Sequence, residues 1–199
     1  MNKEEHLASL KEIKDLMNKS SKFMSLNGWA GILSGLYACI AAVAAYVYLD
    51  FTIKPRYFST EDDLTIGAIG LITLLLALAT GAISSRMRAK KNGFQIWDDT
   101  AKQGLLHLAV PLIVGFFFCA ALYKYNLEGL IAPATLIFYG LALFSASHFT
   151  FKEVKHLAFI QLALGTISLF FIGYGLLFWT LGFGIAHILY GIIVKRTYK

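Results

Sequence analysis

Residues 157–194 read LAFIQLALGTISLFFIGYGLLFWTLGFGIAHILYGIIV, thirty-eight residues without one Asp, Glu, Lys or Arg. As one straight helix this stretch would be about 57 Å long, nearly twice the ~30 Å hydrocarbon thickness of a bilayer. It must therefore fold back on itself, and Gly173-Tyr174-Gly175 is the natural place to turn. The two arms, 157–173 and 176–194, are then about 26 and 29 Å long, each enough to cross with little tilt. A hairpin of this kind predicts a polytopic membrane protein, and the remainder of the chain should pack as further hairpins beside it.

Composition agrees. The chain is 57 % hydrophobic and 15 % charged, with a mean hydropathy of +0.63, whereas soluble domains are about 45–50 % apolar and about 25 % charged. The 199 residues leave no extra-membrane segment long enough for a soluble core. The net charge of +6 is not a nucleic-acid signal, because the lysines and arginines cluster at the ends of apolar runs. Cys39 and Cys119 both lie inside such runs, so they read as buried thiols with no disulfide framework or zinc spacing. Ala42-Val43-Ala44 has the form of a signal-peptidase site, but the apolar run continues through Leu49, which favours a retained anchor.

The expected fold class is all-α: a polytopic membrane helical bundle of six transmembrane helices preceded by an N-terminal amphipathic interfacial helix. Residues 1–27 form the cytoplasmic amphipathic part. Leu7, Leu10, Ile13, Met17 and Met24 fall near one face, and Lys11, Lys14, Lys19 and Lys22 towards the other, a pattern that lies in the headgroup plane or docks a cytoplasmic protein. The six-helix domain, 28–195, has spans at 28–49, 64–85, 104–123, 130–147, 157–173 and 176–194. Gly31, Gly35, Cys39 and Ala42 give the first span a small-residue face, and Ala77, Gly81 and Ser85 do the same for the second. Ser59 or Thr60 should cap the second span beside the acids 61–63. Residues 94–103, with Trp97, read as a short surface helix. Pro111 should free the carbonyl of His107, and Pro133 suits a first turn.

With a cytoplasmic N-terminus, fifteen of the eighteen lysines and arginines fall in inner segments and three, Lys54, Arg56 and Lys124, in outer ones. That bias sets both termini in the cytoplasm. His107-Leu108-Ala109 and His156-Leu157-Ala158 open the third and fifth spans alike, and Thr135-Leu136-x-Phe138 recurs as Thr180-Leu181-x-Phe183, the outline of a duplicated hairpin.

No ionisable Asp, Glu, Lys or Arg lies inside any of the six spans. Proton pumps, ion-coupled transporters and voltage sensors keep such groups at membrane depth because they need them, and no P-loop, nucleophile elbow or HExxH is present. The sequence therefore points to a protein that is not an enzyme: a regulatory or assembly component, or a passive conduit. The expected partners are the lipid bilayer, another copy of the chain, or a cytoplasmic protein held by the N-terminal helix, with no nucleic acid and no cofactor.

Histidine supplies the alternative. Thr180, Gly184, His187 and Gly191 share one face of the last span, and Gln161, Gly165 and Ser168 share one on the fifth. The two faces are expected to pack together, with His187 bonded to Gln161, a Ser or Thr hydroxyl, or the carbonyl of His107. The competing reading makes His187, with His107 or His156, the axial ligands of a haem or a metal in a redox protein.

The runs 132–143 (APATLIFYGLAL) and 173–179 (GYGLLFW), then Gly182-Phe183-Gly184-x-x-His187-Ile188-x-Tyr190-Gly191, with Ser20-Ser21-x-Phe23 before the first span, resemble a family of small uncharacterised bacterial six-span integral membrane proteins of unknown function. The resemblance covers nearly the whole chain. It implies a bacterial inner-membrane location and draws attention to His187.

Overall fold

The structure, a computed structural model, describes residues 28–49, 60–92 and 99–198. The amphipathic stretch 1–27, the first loop, and residues 93–98 of the expected surface helix lie outside the described residues. Six helices make up what is described: α1 (Gly28–Tyr48), α2 (Thr60–Asn92), α3 (Asp99–Lys124), α4 (Ile131–Ala146), α5 (Lys152–Ser168) and α6 (Gly175–Thr197). There are no strands among them.

Five of these segments are long and apolar enough to cross a membrane: Gly28–Tyr48, Leu64–Met87, Asp99–Lys124, Glu128–Phe149 and Gly175–Thr197. The protein is thus a helical membrane bundle. Its surface says the same: Phe116, Phe117 and Phe170 are 69, 67 and 81 % exposed, which water would penalise and acyl chains do not.

The fifth helix departs from the expected 157–173. It begins at Lys152 and ends at Ser168, a length of 17 residues, because a helix start tolerates Lys152, Glu153 and Lys155 in its first turn and the acid complements its dipole. Residues 169–174 form the turn, where Gly173 adopts φ 102°, a conformation that suits glycine. The chain therefore reverses where Gly173-Tyr174-Gly175 suggested. Pro133 lies in the first turn of α4, as expected, and α3 runs unbroken through Pro111.

Two antiparallel contacts organise the bundle. The first joins α1 to α6. A methyl built on Gly191 would stand 2.5 Å from the carbonyl oxygen of Gly28 and from the amide nitrogen of Ile32, and one on Gly35 would stand 2.6 Å from the carbonyl oxygen of Gly184. The two backbones touch, so the small face of α1 is spent within the chain. The face of α6 bearing Gly184 and Gly191 was expected against α5; it lies on α1 instead. The second contact joins α4 to α5, with Gly140 against Leu162 and Gly165 against Leu136 and Ile137. α3 packs on the outer side of α4, where Gly115 receives Phe138.

α2 is different. It leans on α1, with Thr80 reaching the hydroxyl of Tyr37 at 3.4 Å. Among the described residues, a methyl at Gly67, Gly70 or Gly81 would meet nothing within 4 Å. Among those same residues, these three glycines of α2 are not used for close approach.

Candidate functional site

The polar groups of the core converge on a wide turn in α6. Residues Thr180–Ala186, TLGFGIA, form a π-helical segment within an otherwise α-helical span. Such segments are uncommon and recur at functional positions. Gly182 is the pivot. A methyl there would strike Oε1 of Gln161 and Cδ2 of Leu136, each at 2.5 Å, so only glycine lets its carbonyl stand this close to α5.

That carbonyl receives two side-chain donors. Gln161 Nε2 donates to it at 2.9 Å and His187 Nδ1 donates to it at 3.0 Å. Because a carbonyl only accepts, the imidazole proton is on Nδ1, which leaves Nε2 as an acceptor. Tyr139 of α4 fills it, donating its hydroxyl to Nε2 at 2.8 Å. The imidazole thus bridges α4 and α6 with both nitrogens engaged. It is 7 % exposed and joins a three-ring cluster, stacked on Phe183 at 5.9 Å and on Tyr139 at 5.5 Å between centroids, with the Tyr139 and Phe183 rings 5.0 Å apart.

In a bilayer no solvent replaces a lost partner, so every buried donor and acceptor must be met within the protein. His187 satisfies that rule. Gln161, wholly buried, satisfies it only through its amide nitrogen: its Oε1 has no hydrogen-bond partner, nor does the hydroxyl of Ser168 two turns away on the same face.

The sequence expectation for His187 held in kind and failed in detail. The residue points inward and finds polar partners, but they are Tyr139 and the carbonyl of Gly182; Gln161 shares the same acceptor without touching the ring. The carbonyl of His107 is not its partner. Tyr139 is the residue the sequence reading missed. Its signal was present, since a phenolic hydroxyl in the middle of an apolar span must also find a partner.

The other histidines go elsewhere. His107 on α3 shares a 2.9 Å hydrogen bond with Ser145 Oγ and its ring lies 4.9 Å from that of Phe149. His148 donates to the carbonyl of Ser145 at 3.3 Å. His156 on α5 lies beside Glu153 on a groove facing α6. None of the three proposed ligands, His187, His107 and His156, is bonded to another. Among the described residues, no three His, Cys, Asp or Glu side chains come together in a way that could hold a metal. The arrangement can therefore clamp helices. To ligate iron or another metal, His187 would first have to surrender Tyr139 or Gly182.

A second polar contact closes the bundle where α5 begins and α6 ends. The Tyr198 hydroxyl donates to the Glu153 carboxylate, at 3.1 Å from Oε2 and 3.4 Å from Oε1, and its ring stacks on Phe151 at 4.1 Å. Burial pushes the Tyr198 phenol above its usual range, and the bond to Glu153 and that carboxylate's charge push it further. On the far side of α6, Lys195 Nζ sits 3.7 Å over the ring of Trp29, tying the same end to α1.

No known protein family, curated protein or solved structure matches this chain.

Proposed function

We propose that the protein is a non-enzymatic component of a membrane assembly, a six-span protein of the bacterial inner membrane with both termini in the cytoplasm. The observation that carries this reading is the contrast between two sets of glycines. Those of α1 and α6 are in backbone contact inside the chain, whereas Gly67, Gly70 and Gly81 of α2 have open space at their Cβ positions. Gly67, Gly70, Leu74 and Gly81 fall on one side of α2 by helical spacing, beside the strip that meets α1. Small residues at helical spacing let a second transmembrane helix approach closely.

The core supports the same reading over a conduit or a redox centre. Packing at Gly182 has no room for a methyl, and His187 spends both nitrogens on protein groups. Residues 157–172, most of α5 and of the turn after it, carry no charged side chain, which favours a sixth crossing beside the five long apolar helices. The charge bias read from the sequence supports cytoplasmic termini.

Photocrosslinking tests the assembly. With benzoylphenylalanine in place of Leu74, the native membrane should yield an adduct to another polypeptide, either a second copy or a different membrane protein. Adducts to lipid alone would defeat the reading.

A further inference from the structure

α5 and α6 are neighbours in the chain and meet at Gln161 and Gly182, but one side of the pair stays open. α6 is drawn to α1 by the glycine seam and α5 to α4 through Gly140 and Gly165. Between them remains a groove of about 400 Å³, within the range of about 300–1,000 Å³ that small-molecule sites occupy. Leu157, Ile160 and Leu164 form one wall and Leu181, Ile185 and Leu189 the other. Glu153, His156 and Tyr190 stand at one end. From Glu153 to Leu164 the helix rises about 16 Å, close to half of the ~30 Å hydrocarbon core. The groove is one leaflet deep, apolar along its length and polar at its mouth.

The mouth is charged in a specific way. Glu153 is 9 % exposed, and the Tyr198 hydroxyl is its hydrogen-bond donor. An ionised carboxylate can accept about four hydrogen bonds, and a buried one calls for a cation. Among the described residues the one ion pair is Lys102 with Asp99, at the start of α3. The nearby lysines are directed elsewhere: Lys195 lies over Trp29 and Lys155 over Phe144. Lys152 and Arg196 are exposed at the same end.

We propose that this groove is a phospholipid site, holding one acyl chain of phosphatidylethanolamine with the headgroup ammonium on Glu153. The ammonium supplies the N–H donors and the positive charge that the carboxylate lacks, the adjoining phosphate meets the exposed Lys152 and Arg196, and the chain fills the apolar walls. Phosphatidylcholine, with the same net charge and no N–H, cannot replace it at the carboxylate.

The proposal rests on α5 and α6 lying in the bilayer, and the test separates the two. Purified full-length protein is exposed to equimolar phosphatidylethanolamine and phosphatidylcholine of identical acyl chains, and retained lipid is counted by native mass spectrometry. One phosphatidylethanolamine per chain is expected, preferred about tenfold, the worth of one charge-assisted hydrogen bond. Glu153→Gln should level the two lipids, since the amide still accepts from Tyr198 but carries no charge. Ile185→Trp should reduce retention of both by filling the groove. Equal retention by the wild type, or a preference that survives Glu153→Gln, would overturn the site. In vesicles of phosphatidylethanolamine, benzoylphenylalanine at Leu189 should capture lipid. Capture of residues 1–27 or of a second copy would assign the groove to that occupant and overturn the proposal. Capture of no lipid would overturn it by removing these helices from the bilayer.

Discussion

Tyr139 of α4 and His187 of α6, forty-eight residues apart, share a 2.8 Å hydrogen bond inside the bundle. The bond determines what the imidazole can do, because the other nitrogen already donates to Gly182. Tyr139→Phe would keep the ring stack and leave Nε2 as a buried acceptor without a donor. Interhelical hydrogen bonds in membranes average about 0.6 kcal/mol and reach about 1.7, so a loss of about 1 kcal/mol is expected. Reversible unfolding in mixed micelles measures it. Unchanged stability would mean that the bond is not formed in the bilayer.

Glycine substitutions should divide by helix. Gly191→Ala drives a methyl into the backbone of α1 at Gly28 and Ile32, and rigid backbone cannot yield as a side chain can. A loss of about 1–3 kcal/mol is expected. Gly81→Ala enters open space, and alanine is the better helix former by about 0.8–1 kcal/mol, so stability should hold or rise. The same unfolding assay compares them, and an equal loss at both positions would refute the α1–α6 seam.

The contact between Tyr198 and Glu153 predicts a pH window. The phenol is raised above its ordinary value by burial and by Glu153, so the folded state holds that proton longer than the unfolded chain. Its contribution is complete below the ordinary tyrosine pKa of about 10 and is lost as pH rises through the raised value. The difference in melting temperature between wild type and Tyr198→Phe should therefore be constant from neutral pH to about 9 and close above about 10. A difference that vanished at neutral pH would place the stabilisation elsewhere.

Much of the fold was legible because apolar length and glycine position are local properties. The hairpin at Gly173, the small face of α1 and the first-turn Pro133 could all be read from spacing. The ends of α5 could not, because charged residues such as Lys152 and Glu153 are excluded from a hydropathy run yet welcome in a first turn. The partner of α6 was misread for a subtler reason. An ideal period of 3.6 puts Gly184, His187 and Gly191 on one face, but the π segment Thr180–Ala186 rewinds the helix between them. Gly184 then meets Cys39 of α1 while His187 meets Tyr139 of α4. A change of helical pitch leaves no mark in periodicity. The need of His187 for a donor and an acceptor was legible; which groups would supply them depended on that pitch.

The proposed sidedness rests on the charge bias. In a background without Cys39 and Cys119, a cysteine replacing Tyr125, 67 % exposed between α3 and α4, should react with an impermeant maleimide added outside intact cells. A cysteine at Lys199 should react only after lysis. Labelling of position 199 from outside would invert the orientation proposed above.

The most direct test of a structural His187 is the absorbance and stability of His187→Gln beside the wild type. Glutamine can donate to Gly182 and accept from Tyr139, so the variant should purify in the same yield and unfold within about 1 kcal/mol of the wild type, the scale of a single interhelical bond. The wild-type spectrum should show tryptophan and tyrosine alone. A stoichiometric Soret or metal-charge-transfer band in the wild type that disappears in a folded His187→Gln protein would contradict the account and make His187 a cofactor ligand.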